Sequence, residues 1–169
     1  MSSWMSDELR RWVEMSYDET INGFRRELGV TDWFGCDSRE QLAFFINGEF
    51  GETPLPALPS KEAYVRLVDF FCDEAPSRQI SSSQWHKKPE WSDQQCVDVE
   101  QSVKTGVFVY ACLSEDLFCD PYELLARPTR PLLLNECPSE IQRLVSAVRF
   151  NLVFGDENSI TVNKHFECF

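Results

Sequence analysis

Seven cysteines and two histidines are the side chains of this sequence best equipped for chemistry, either as metal ligands or as a nucleophile with its base. A structural zinc site draws thiolates to within about 2.3 Å of one ion, which favours close pairs such as Cys-x-x-Cys. No such pair occurs; the nearest approaches are His165 with Cys168, and Cys112 with Cys119. Cys72 follows Phe71, Cys112 follows Ala111 and Cys119 follows Phe118, surroundings in which a thiol serves as a small hydrophobe. No metal or other cofactor is expected. A nucleophilic cysteine or serine needs a histidine in reach and a third group to orient it. His86 lies in a polar stretch beside Lys87 and Lys88, His165 lies on the tail, and no Gly-x-Ser-x-Gly elbow accompanies either. A Cys/His hydrolase is therefore an alternative reading, and the sequence reads first as a non-enzyme.

Carboxylate doublets occur at Asp7-Glu8, Asp18-Glu19, Asp73-Glu74, Glu115-Asp116 and Asp156-Glu157. Adjacent residues of a helix point in different directions, so the doublets do not converge as the acid pair of a glycosidase must. Phosphate-cradling loops are missing as well: Gly48 and Gly51 are too few, and no Gly-Lys-Ser/Thr follows them.

The charge balance points to binding. Twenty-eight acids against sixteen bases leave a net charge of -12, which repels a phosphate backbone or an anionic membrane. Residues 1–76 hold 15 acids and 7 bases, and residues 77–169 hold 13 and 9, so the N-terminal half carries most of the surplus. A basic protein is the expected partner, with no direct contact to nucleic acid or membrane. Glu14 and Asp18 stand four residues apart on one helical stripe, Glu49 and Glu52 flank Phe50 in a loop, and Trp4 and Trp33 are candidate aromatic anchors. Together these seven residues form the expected partner-binding set. The expected activity is that of an acidic protein-binding inhibitor, an immunity or antitoxin protein occluding the basic cleft of a nuclease-type toxin. The alternative from another class is a phage anti-defence or nucleic-acid-mimic adaptor.

These residues have to be held by elements that hydrophobic spacing can outline. Leu9, Trp12, Val13, Tyr17, Ile21, Phe24 and Leu28 fall on one side of a helix over residues 6–28, closed by Gly29. Ser38 and Gln41 suggest a capping pair opening a short helix to about Asn47. Residues 48–60 hold three prolines and two glycines and form a loop pinned by Phe50 and Leu55. A third helix opens at Ser60, with Tyr64, Leu67, Val68, Phe71 and Cys72 inward, and ends before Pro76. A helix is expected over 93–104, and the apolar run 107–113 fits helix or strand. Asp120-Pro121 reads as the start of a short helix to Ala126, and Pro138 as the start of a long one that Gly155 stops. The alternation after Ser159 predicts a terminal strand. The expected architecture is a mainly α, single-domain helical bundle with a small β element, the C-terminal strand being free to pair with 107–113, and α+β as the alternative. Within the one domain, an acidic helical lobe (1–76) is joined through a polar excursion (77–91) to a second lobe (92–169). No apolar run approaches the 18 or so residues of a membrane span, and the start lacks the basic and apolar regions of a secretory signal. A cytoplasmic location is the expectation.

Overall fold

The computed structural model describes residues 7–21, 32–47, 51–77, 93–113, 121–162 and 166–167. Among them are α1 (Asp7–Ile21), β1 (Trp33–Cys36), β2 (Leu42–Ile46), α2 (Lys61–Asp69), α3 (Asp93–Lys104), β3 (Phe108–Ala111), β4 (Tyr122–Ala126), α4 (Ser139–Ser146), β5 (Arg149–Phe150), β6 (Ser159–Ile160) and β7 (Phe166–Glu167). The strands join in one sheet in the order β6-β4-β3-β2-β1-β5-β7. The fold is mixed α/β, which overturns the expected helical bundle. Both lobes contribute to the sheet, because β2 of the first pairs in parallel with β3 of the second, Phe44 opposite Val109 and Phe45 opposite Tyr110.

The error has a physical cause. β1 and β3 are buried at every residue, so they show no polar-apolar alternation. A strand covered on both faces reads as a plain apolar run, indistinguishable by period from a buried helix. Two helices expected from capping signals are strands as well: residues 38–47 contain β2, apolar toward both faces, and residues 120–126 contain β4. The signal before β2 is genuine but belongs to a turn. Asp37, not Ser38, is the capping side chain; its Oδ1 accepts from the backbone N–H groups of Arg39 and Gln41, each at 2.8 Å. Glu40, at φ 63, then reverses the chain into β2.

The two faces of the sheet are covered differently. On one, Leu67 of α2, Val99 and Val103 of α3, and Ile141 and Val145 of α4 pack on Phe34, Leu42, Val109 and Leu125. The other carries an aromatic cluster closed over by the chain after β5, through Phe154, Ile160 and Val162. Register builds that cluster: Trp33 lies opposite Phe45, which lies opposite Tyr110. The Trp33 and Phe45 rings stack at 3.9 Å and 3°, and Phe45 and Tyr110 follow at 5.4 Å and 15°. Such pairs contribute about 0.5–1.5 kcal/mol each beyond the area they bury.

The third helix forms as expected from Ser60, whose hydroxyl accepts from the N–H of Ala63 at 3.2 Å. It continues as a π-helical turn over Phe70–Glu74. α3 matches the expected 93–104 span, and the ambiguous run 107–113 contains β3. The last helix is shorter than expected; α4 ends at Ser146, and Val148 and Phe150 enter the core from the chain around β5. Leu55 does not pin its loop, being 56% exposed; among the described residues there, Gly51, Pro54, Ala57 and Leu58 are buried.

Candidate protein-docking face

α1 lies along α2, and its sequence determines how it is held. Val13 and Tyr17 form a small core with Leu58, Tyr64 and Val65. The Tyr17 hydroxyl donates to the carbonyl of Pro59, and its ring lies 5.6 Å from that of Tyr64. Ion pairs flank this seam: Arg10 reaches both oxygens of Asp69 at 3.2 and 3.0 Å, and Lys61 reaches Asp18 at 2.6 Å. The Asp18 hydrogen bond raises the Lys61 pKa, with Glu14 and Glu62 adding to the negative field around the ammonium. Burial raises the Tyr17 pKa first, and Glu62 and Asp18 raise it further.

With that side fixed, the opposite side of α1 faces outward. Trp12 is 49% exposed and Met15 53%. Three residues apart, they are neighbours on the helix surface. Glu8, also exposed, stands one turn before Trp12. Asp7 and Glu8 occupy the first turn, where the helix dipole favours anions. The face is thus an apolar pair within an acidic helix, of the residue types that anchor protein interfaces.

Of the seven residues expected to bind a partner, Trp4, Glu49 and Phe50 lie outside the described residues. Glu14 and Asp18 come together beside Lys61, on the flank of α1 toward α2. Trp33 is not an anchor for a partner: it is fully buried at the centre of the aromatic cluster. Its indole N–H donates to the Tyr122 hydroxyl at 3.2 Å, and that hydroxyl donates to the carbonyl of Glu52 at 2.9 Å. Trp33 and Glu52 are therefore brought together, but through an internal hydrogen-bond chain that ties the 51–54 loop to the sheet. Trp12 was missed because the 3.6-residue stripe includes it with Val13 and Tyr17; its place at the edge of that stripe is the signal that it can turn outward.

Acids are exposed on both lobes, Asp7, Glu8, Glu62, Asp73 and Glu74 on the first and Glu123, Glu140, Asp156 and Glu157 on the second. The cysteines divide. Cys36, Cys112 and Cys137 are buried, while Cys72, expected inward, is exposed. Burial pushes the Cys36 thiol up to about 11, although Arg149 pulls the other way. Among the described residues, no group of three His, Cys, Asp or Glu side chains is placed to hold a metal. His86, His165 and Cys119 lie outside the described residues. No described helix is long and apolar enough to cross a membrane.

Comparison with known proteins finds no matching family model, no similar curated protein and no similar solved structure.

Proposed function

We propose that the protein is a non-catalytic binding protein that docks a basic protein through the outer face of α1. Trp12 and Met15 are its apolar anchors, Asp7 and Glu8 stand beside them, and Glu14 and Asp18 add negative charge from the flank toward α2. The observation that carries this reading is the half-exposed Trp12-Met15 pair on a helix otherwise firmly seated against α2. Exposed Trp is costly in water, and central Trp residues are among those whose truncation most weakens an interface, by about 2–4 kcal/mol. The net charge of -12 steers a basic partner toward the molecule and repels nucleic acid. Nothing in the fold or in the comparisons supports the narrower assignment to immunity or antitoxin proteins.

The test is affinity capture from the native host with wild type, a Trp12→Ser/Met15→Ser double variant and Leu55→Ser, which removes an exposed apolar side chain elsewhere. Bound proteins are identified by mass spectrometry at about 0.05 and about 0.5 M salt, between which exposed charge pairs become largely screened. A basic protein should be retained by wild type and Leu55→Ser, weakened by salt, and lost from the double variant at unchanged melting temperature. Equal retention by the double variant refutes the reading.

A further inference from the structure

A cavity of about 390 Å³ lies between the helix-covered face of the sheet and helices α1, α2 and α3. Phe34, Phe44 and Ile46 form its sheet side, Val68 and Phe71 one helical wall, and Val99 another. That volume lies within the roughly 300–1,000 Å³ usual for small-molecule sites. It is also more than twice the roughly 150 Å³ apolar cavity known to take up benzene.

Two further observations mark this space as more than loose packing. Phe44 and Ile46 belong to β2, in the middle of the seven-stranded sheet, and point to the helix-covered side, yet both are only half-buried. The wall carrying Phe71 is the π-helical turn, closed by the N–H of Ala75 on the carbonyl of Phe70 at 2.8 Å. π-turns are rare and recur at functional sites. Here the turn brings the consecutive residues Phe71 and Cys72 both to the cavity, and the Phe71 ring stacks on Phe34 at 4.1 Å and 9°.

We propose that this cavity binds a small, neutral, largely hydrocarbon molecule. Aromatic and branched aliphatic side chains supply its contact area, and neighbouring polar groups bond within the protein. The Tyr64 hydroxyl donates to the carbonyl of Asp32 at 2.6 Å, the Asn47 N–H donates to Asp32 Oδ1 at 2.8 Å, and the Thr105 hydroxyl donates to the carbonyl of Ser102 at 2.7 Å. Asp32 is among the lining residues, so an anionic amphiphile such as a fatty acid meets an acidic residue nearby. Neutral ligands avoid that repulsion. Trp12 stands on the cavity's edge and on the outer face of α1. The cavity and the docking face therefore share Trp12, and Met15 belongs to the docking face alone.

Titration with the neutral fluorophore N-phenyl-1-naphthylamine tests it. Enhanced, blue-shifted emission should saturate at one probe per chain, and decanol should displace the probe more effectively than decanoate. Ile46→Trp and Val68→Phe extend half-buried wall residues into the cavity, and each should weaken binding about tenfold or more. Met15→Ser, on the outer face of α1, should leave binding unchanged. Wild type should also melt higher with probe present, since a ligand selective for the folded state stabilises it. No saturable binding, equal affinity in whichever filled variant melts cooperatively, or absence of a melting shift at saturation overturns the proposal. Better displacement by decanoate overturns the preference for a neutral ligand.

Discussion

Asp37 offers the sharpest test of how the β1–β2 turn is built. The side chain is fully buried, and its carboxylate accepts three backbone N–H bonds at 2.8 Å: two on Oδ1 from Arg39 and Gln41, and one on Oδ2 from Phe154. It therefore fixes the turn and ties it to the chain that closes the aromatic face. Replacing Asp37 by Ala strands three donors. A buried donor left without a partner costs about 1–3 kcal/mol, while those in a surface turn recover water, so the expected loss is about 2–4 kcal/mol. Asp37→Asn keeps the Oδ1 bonds but sets an amide NH2 against the buried N–H of Phe154, which costs about 1–3 kcal/mol. The two variants differ from wild type in pH dependence as well. Burial raises the Asp37 pKa above the ordinary aspartate value, and the three N–H bonds and Arg39 pull it back without cancelling the rise. The folded state then holds the proton more tightly than the unfolded one, so this group's contribution to stability is greatest below the ordinary aspartate pKa and is lost as pH rises through the folded value. Urea denaturation of wild type and Asp37→Asn, in steps from about pH 4 to 7, isolates the effect because the other carboxyls cancel in the difference. The wild-type advantage should narrow with rising pH and then level off. An advantage that widens over that window means that the N–H bonds outweigh desolvation, and refutes the reasoning.

Three further outcomes follow from single contacts. Tyr122→Phe removes the hydroxyl that accepts from the Trp33 N–H at 3.2 Å and donates to Glu52 at 2.9 Å; it should cost about 2–3 kcal/mol in urea melts, and a loss below about 0.5 contradicts the internal chain. Gly155→Ala should destabilise by about 2 kcal/mol or more in thermal melts, because the backbone sits at φ +85 and an added Cβ would lie 2.7 Å from the Phe108 ring. In peptide-resolved thiol labelling of the native protein near pH 8, Cys72 should react readily while Cys36, buried and pushed up to about 11, stays unlabelled until denaturant is added; equal rates contradict its burial.

What the sequence made legible follows from where its elements sit. α1, α2 and α4 each bury one side, and an amphipathic stripe reports that directly. Ser60 and Pro138 mark the starts of α2 and α4, and α3 matches its expected span. The central strands carry no such contrast. Trp33–Cys36 is buried throughout, and Leu42–Ile46 presents apolar residues to both faces. Nothing local distinguishes them from helix or connector; pairing does, β1 antiparallel with β2 and parallel with β5, and β2 parallel with β3. Asp120-Pro121 misled because a proline that suits the first turn of a helix also suits the start of a strand. Of the proposed docking face, Glu14 and Asp18 lie on one flank of α1 as their spacing implies, Trp33 is core, and Trp12, read with the apolar stripe, is half-exposed.

Charge and shape play different parts in the proposed docking. The described bases Arg10, Lys61, Arg66, Lys104, Arg130 and Arg149 each stand within 4.0 Å of a carboxylate. Most of these pairs are half-exposed and add little stability individually. They do, however, occupy basic groups in a chain with twelve more acids than bases, so the negative field is left to exposed carboxylates on both lobes. A field spread in this way accelerates the approach of any basic protein without choosing where it lands. The choice must come from a local feature that water penalises and a partner can cover. Among the described residues, Leu55 and Ile21 stand apart from this pair, whereas Trp12 and Met15 adjoin each other on a helix anchored at both ends by ion pairs to α2. Charge reversal at any one acid should therefore slow association modestly, while loss of the Trp12-Met15 pair should speed dissociation, a division that stopped-flow association and dissociation rates can separate.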